Sequence, residues 1–220
     1  MKKKAKKIAL ILSGCGHMDG SEITESVSLL ISLHMYGAET KCFAPNIEFN
    51  VKNHLTREKT SETRNVLQEA ARIARGHIQD IKELKADDFD GLAFSGGFGA
   101  VTNLSTWSSQ GARCQVNPEV ARVIKEFHSQ SKPIGAACIA PTLLAKVLGP
   151  EKIELTIGDD LETSQEINKT GAHHVTCPVD DYVTDRLGKV ITTPAYMYDA
   201  QPHEVFKGIN GLAKELVEMA

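Results

Sequence analysis

The segment Lys132-Pro-Ile-Gly-Ala-Ala-Cys138-Ile-Ala-Pro-Thr142 constrains the fold of this chain more than any other. It reads as a buried strand, Pro133 to Ala137, turning at Cys138 into a helix over Ala140 to Leu148. A nucleophile on a strand-to-helix turn is held in a strained conformation, and the crowding is tolerated only between small neighbours. Ala136 and Ala140 supply them, two residues to either side of the cysteine. A thiol at a helix N-terminus also meets free N–H groups and the positive end of the dipole, which favour thiolate. Cys138 is therefore expected to be the most acidic and most oxidisable thiol. The competing reading is a buried structural cysteine.

The rest of the chain alternates apolar runs with amphipathic stretches, the pattern of a parallel sheet covered by helices. Strands are expected at Lys7–Leu12, Thr40–Ala44, Gly91–Ser95 and Lys152–Ile157, with a late strand and hairpin over 174–193. Helices are expected at about 22–35, 61–75, 118–129, 161–169 and 203–219. The first is capped by Asp19 or Ser21 and carries Ile23, Val27, Leu30 and Ile31 on one face. No repeat or linker interrupts the 220 residues, so residues 1–220 are read as one domain.

A net charge of -3 argues against a nucleic-acid partner. The lysines at positions 2, 3, 4, 6 and 7 read as a solvated terminus. The apolar run Ile8–Leu12 is shorter than the ~7–15 residues of a secretory leader, and nothing approaches the ~18 apolar residues of a membrane span. Five cysteines, an odd number without close pairing, suit a reducing compartment. A cytoplasmic protein with no membrane partner is expected.

In an open α/β sheet, ligands bind beyond the C-terminal ends of the strands, where strand order reverses. Three unusual segments fall at such ends: Ser13 to Glu22, Ser95 to Gly99, and the cysteine turn. Glycines there let backbone approach a ligand closely. The N–H groups of Gly97 and Ile139 are candidates for an oxyanion hole beside the nucleophile. Glu22, opening the first helix, has two readings: an acid placed favourably in a first turn, or a carboxyl aimed at the sulfur. In an apolar pocket such an acid stays protonated and shuttles a proton.

Ser-Gly-Cys-Gly-His-Met-Asp-Gly-Ser-Glu-Ile at 13–23, Thr-Arg-Asn-Val-Leu at 63–67 and Gly-Gly-Phe-Gly-Ala at 96–100 resemble the ElbB family. So do Cys-Ile-Ala-Pro at 138–141, Cys-Pro-Val-Asp-Asp at 177–181 and Thr-Thr-Pro-Ala-Tyr-Met at 192–197. ElbB proteins belong to the superfamily of the Parkinsonism-associated deglycase and PfpI. The resemblance implies a flavodoxin-like, class I glutamine amidotransferase-like fold, a homodimer, and a glyoxalase that converts glyoxal to glycolate without cofactor or metal. It also implies Cys138 as nucleophile and Glu22 as the acid contacting it. A link to isoprenoid biosynthesis is attached to the family as well.

One departure stands out. Many superfamily members place a histidine after the strand that follows the cysteine turn, whereas here Glu154-Leu-Thr-Ile157 leads into Gly158-Asp159-Asp160. A Cys–Glu dyad with slow turnover is therefore expected; His17 is the nearest substitute by sequence, but it reads better as a solvent-exposed loop histidine. The alternative function is a redox-sensing or protein-protecting module, since an accessible low-pKa thiol oxidises readily. Cys15 is either a filler of its turn or a second thiol in such chemistry.

Two further motifs are set aside. Amidotransferases pair the cysteine with a His-x-Glu, but His203 and Glu204 are adjacent and precede a helix. His173, His174 and Cys177 lack a completing ligand cluster, and neighbouring strand residues face opposite ways. The long stretch from Phe98 to Val116, which carries the single tryptophan Trp107, is read as a lid or interface element that borders the Cys138 pocket and restricts it to small aldehydes, or as a surface loop with a buried anchor.

Overall fold

Strand order determines where the chemistry sits. The computed structural model describes residues 5–220, so the lysines at positions 2, 3 and 4 lie outside the described residues. In chain order the elements are β1 (Lys7–Ile11), α1 (Ile23–Met35), β2 (Glu39–Ala44), β3 (Glu48–Lys52), β4 (Lys59–Asn65), α2 (Val66–Ile73) and β5 (Ile78–Asp80). There follow β6 (Gly91–Phe94), α3 (Gly99–Thr102), α4 (Trp107–Gln110), α5 (Pro118–Ser129), β7 (Ile134–Ala137) and α6 (Pro141–Leu148). The chain continues through β8 (Glu154–Leu155), α7 (Leu161–Lys169), β9 (His173–His174), β10 (Val183–Asp185), β11 (Val190–Thr193) and α8 (Pro202–Met219).

Seven strands form the central sheet in the order β10-β11-β7-β6-β1-β2-β5. All pairings are parallel except β10 with β11. This is the mostly parallel, helix-covered sheet of the class I glutamine amidotransferase-like fold. The chain winds outward from β1 through β2 to β5, then returns to place β6 on the other side of β1. That reversal opens a crevice above β1 and β6, and β7 lies next to it.

The period-2 alternation of the strands sorts the core into two layers. Ala9, Ile11, Leu92, Phe94, Ile134 and Ala136 face the layer of α5 and α6, where Val123, Ile124, Phe127 and Leu144 are fully buried. Ile8, Leu10, Leu12, Ala93 and Ala137 face the layer of α1, α2 and α8, against Leu29, Leu33, Val66, Ile209 and Leu212. Burial on both faces is what parallel central strands require.

Three local expectations change. Residues 61–65 extend β4 and pair with β3, so α2 begins only at Val66, capped by the Asn65 side chain on Gln68 N–H (3.1 Å). The sequence shows Thr60, Ser61 and Thr63, which suit a strand as well as a cap, and pairing with β3 decides between them. The expected strand 152–157 shrinks to Glu154–Leu155, paired with His173–His174. Finally, the apolar stripe of α1 faces outward except for Leu30, which packs half-buried against the core. Ile23 (49%), Val27 (40%), Ile31 (49%) and Met35 (63%) are exposed, while Glu25, Ser26, Ser28, Leu29, Ser32 and Leu33 are buried.

Candidate active site

Cys138 occupies the first position after β7, with φ = +60°. A non-glycine residue in the left-handed region is uncommon and marks a strained turn. Its N–H donates to Thr193 O (2.9 Å), tying the turn to β11. Gly96, at the end of β6, has no space for a side chain. A β-carbon there would overlap both Cys138 Cβ and Glu25 Oε2. The thiol and the Glu25 carboxyl therefore face each other across Gly96, in a pocket where Cys138 is only 7% exposed and Glu25 is fully buried.

Glu25, and not Glu22, meets the sulfur. The reason lies in the helix start. Glu22 is the residue before the first helical turn, and its carboxylate folds back to accept from the Glu25 N–H (2.6 Å). Glu25 sits at the third helical position, on the side of α1 that packs on the sheet. The expected cap, Ser21, instead accepts the Ser13 N–H (2.8 Å) through its hydroxyl. Asp19 is likewise engaged elsewhere, accepting from Lys52 N–H (2.7 Å). Glu25 Oε1 accepts from Tyr196 N–H (3.2 Å), and Oε2 makes no other regular hydrogen bond. A signal for Glu25 existed in the sequence: it lies four residues before Leu29 and eight before Leu33, on the one helix face that is buried.

Burial governs the electrostatics. It pushes the Glu25 carboxyl up to about 8, with the Glu22 charge adding to the effect and the Tyr196 N–H opposing it. The Cys138 thiol is raised well above the ordinary thiol range, first by burial and then by the Glu25 charge. The N–H groups of Gly97 and Ile139 act on the same sulfur and favour its anion, but they do not outweigh burial. The expectation that Cys138 is the most acidic thiol is thus corrected: desolvation of a fully enclosed sulfur exceeds what two N–H groups return. Cys42 and Cys177 are also raised by burial, to about 11 and about 12. Both members of the dyad hold protons tightly, and at most one negative charge is favourable in so small a space.

The donors beside the sulfur are held by the β1–α1 loop. Gly97 has φ = +95°, and a β-carbon there would overlap Gly20 O and Glu22 N. Glu22 N–H donates to Gly96 O (3.0 Å), Gly99 N–H to Gly20 O (2.9 Å) and Phe98 N–H to His17 O (2.7 Å). Asn103, which sequence reasoning passed over, locks this loop by donating to Ser13 O (2.9 Å) and Asp19 O (2.7 Å). His17 packs edge-on against His54 of the β3–β4 hairpin, ring centroids 5.0 Å apart. Cys15 lines a small surface pocket with His54, Arg64 and Glu69. Glu204 completes a capping box on Gln201 at the start of α8. Among the described residues no group of three His, Cys, Asp or Glu side chains could hold a metal ion.

The stretch 98–116 is built, not loose. It contains α3 and α4, and its neck is closed by a bridge between Ser105 and Val116. Trp107 is buried within it. Phe98 and Ile139 line the same groove.

No family model matches the chain. Curated relatives do. The rat protein named ES1 protein homolog, mitochondrial, is 42% identical over 224 residues, covering 97% of this chain and 84% of the relative. The human glutamine amidotransferase-like class 1 domain-containing protein 3, mitochondrial, is 42% identical over 228 residues, covering 99% of this chain and 84% of the relative. A crystal structure from Ehrlichia chaffeensis, described as an isoprenoid biosynthesis protein with amidotransferase-like domain, superposes with a TM-score of 0.92 at 37% identity. It covers 98% of this chain and 99% of that one. Drosophila melanogaster DJ-1beta shares the fold, at a TM-score of 0.57 and 20% identity over 97% of this chain and 91% of its own.

Proposed function

We propose, for a chain that belongs to the ES1 family of glutamine amidotransferase-like class 1 proteins, that Cys138 and Glu25 form a cofactor-independent glyoxalase dyad converting glyoxal to glycolate. The observation that carries this reading is the buried carboxyl facing a strained-turn cysteine, with Gly97 and Ile139 N–H groups gathered at the same sulfur. An ElbB-type activity within the family is the finer assignment that the motifs at 13–23 and 138–141 support.

The reaction balances with water alone. The Cys138 sulfur adds to one aldehyde carbon, and the Gly97 and Ile139 N–H groups stabilise the oxygen anion as an oxyanion hole. The thiol proton passes through the adjoining Glu25 carboxylate to that oxygen as the carbon–sulfur bond forms, giving a hemithioacetal. Glu25, again a carboxylate, removes the carbon-bound proton and delivers it to the neighbouring carbon while the hydroxyl proton passes to the neighbouring oxygen, leaving a glycolyl thioester. Water cleaves the thioester, releasing glycolate and restoring the thiol. A carboxyl poised at about 8 is matched to give and take protons near neutral pH. Glu22, at the rim, raises Glu25 through its charge and has no direct step.

Incubating the protein with glyoxal and measuring glycolate, beside Cys138→Ser, tests the assignment. Glycolate formation that persists in Cys138→Ser removes the mechanism. The redox-sensing alternative is disfavoured by the same enclosure, because a buried thiol above the ordinary range presents little thiolate to oxidants. For a partner we propose a second copy, seated on the exposed stripe Ile23, Val27, Ile31 and Met35 of α1. The four side chains recur every fourth residue and form one continuous face. No described helix is long and apolar enough to cross a membrane. Two of the relatives are named mitochondrial, and we propose a reducing interior compartment, cytoplasm or matrix, as the setting for five free thiols.

A further inference from the structure

Glyoxal leaves most of the neighbouring space unused. A groove of about 800 Å³ runs between α7 and the 98–113 segment, and Ile139 forms part of its wall. That volume falls within the range of pockets that hold drug-sized ligands, far beyond a two-carbon dialdehyde. Ile139 joins the two regions: its N–H acts on the Cys138 sulfur, and its side chain lines the groove.

The groove wall is fixed in place. Ala112 N–H donates to Glu166 Oε2 (2.8 Å), and Lys146 Nζ donates to Ala112 O (2.8 Å), so the segment is held from α7 and from α6. Gly111 has φ = +51°, and a β-carbon there would overlap the Glu166 carboxylate. At the neck, Thr106 N–H donates to Gln115 O (2.9 Å) and Asn117 N–H to Leu104 O (2.8 Å).

The lining divides by chemistry. Phe98, Trp107 and Ile139 supply apolar surface, while Arg113, Lys169, Glu162 and Glu166 supply charge. Lys169 is paired with Glu166. Glu162 lies in the first turn of α7, where free N–H groups offset a negative charge. Arg113 enters no direct ion pair among the described residues; the Glu166 charge lies within its electrostatic reach, but the Glu166 carboxylate is already engaged by Lys169 and by the Ala112 N–H. A guanidinium is the side chain best shaped to bind a carboxylate through two parallel hydrogen bonds.

We propose that this groove receives the remote end of a substrate larger than glyoxal: an α-oxo aldehyde whose short aliphatic chain ends in a carboxylate, held by Arg113. The proposal rests on the Cys138–Glu25 reading for its reacting end and deepens it by naming a substrate class. Phe98 and Ile139 cover the chain, and Arg113 orients it, so that the aldehyde meets the sulfur.

The single tryptophan gives a binding signal that needs no turnover. In Cys138→Ser, titration with 4-oxopentanoate, an unreactive keto acid, is expected to change Trp107 fluorescence saturably. Arg113→Gln is expected to weaken that binding about tenfold or more, and Arg113→Lys to restore part of it. In the otherwise unaltered protein, Arg113→Gln is expected to lower kcat/KM for 4,5-dioxopentanoate by a similar factor and to leave glyoxal turnover unchanged. Absence of a saturable signal, equal binding in Arg113→Gln, or equal losses on both aldehydes overturns the proposal. Arg113-dependent binding without turnover of either aldehyde upholds the groove and instead removes the Cys138–Glu25 reading.

Discussion

The Glu25 carboxyl and the Cys138 thiol face each other across Gly96, which leaves no room for a side chain between them. Each is enclosed and each is raised by burial; the Glu25 charge raises the thiol further, while the hydrogen bond from Cys138 lowers the carboxyl. The pair is held from three separate elements: α1 carries Glu25, the β6 end carries Gly96, and the β7 turn carries Cys138.

Replacing Gly96 with alanine should force that pair apart. Overpacking at a crowded site costs about 1–3 kcal/mol, so Gly96→Ala is expected to lower the urea midpoint and to abolish glycolate formation. A variant with unaltered stability and turnover would mean that the contact at Gly96 relaxes freely.

The two glutamates should separate in kinetics. Glu25→Gln keeps shape but removes the carboxylate that raises the thiol, so the alkylation pKa of Cys138 should fall while turnover drops about a hundredfold. Glu22→Gln retains an acceptor for the Glu25 N–H and is expected to cost less than about 1 kcal/mol of stability, with most activity kept. Alkylation rates across pH, together with glycolate assays, measure both. The reverse order of losses would make Glu22 the proton carrier.

Glu25 also couples folding to pH. Its folded pKa, about 8, lies above the ordinary 4.5 of an unfolded glutamate. The native state therefore holds the proton through that window, and the contribution is complete below 4.5 and lost as pH rises through 8. The slope is at most about 1.4 kcal/mol per pH unit. Urea unfolding across this range should show declining stability in the native protein and a flatter profile in Glu25→Gln. Parallel profiles would place the titration elsewhere.

The exposed stripe of α1 predicts self-association. Ile31→Glu places a charge at its centre and should convert a dimer into a monomer in sedimentation velocity, with the fold retained because Ile31 is 49% exposed. Identical sedimentation of this variant and the unaltered protein would remove α1 from the proposed interface.

Much of this architecture was legible in the residues alone. Local patterns located β1, β6, β7, α5, α6, α7 and α8, because each combines an apolar run or stripe with a nearby proline, glycine or cap. The small residues around Cys138 marked its turn, and the glycines after β6 marked the second wall of the crevice. Those features are local: backbone sterics and capping act within a few residues. Which acid meets the sulfur was not local. Glu22 and Glu25 both lie near the start of α1, and only the packing of that helix against the sheet turned Glu25 inward and left Glu22 as its cap. The same packing turned the stripe of Ile23, Val27, Ile31 and Met35 outward, since the inward face of α1 is filled by Leu29 and Leu33 together with Glu25, Ser26, Ser28 and Ser32. The thiol's protonation was likewise decided by tertiary enclosure. A helix N-terminus favours thiolate, but its few N–H groups act against desolvation on every side, and desolvation depends on neighbours brought together from α1, β6 and β7.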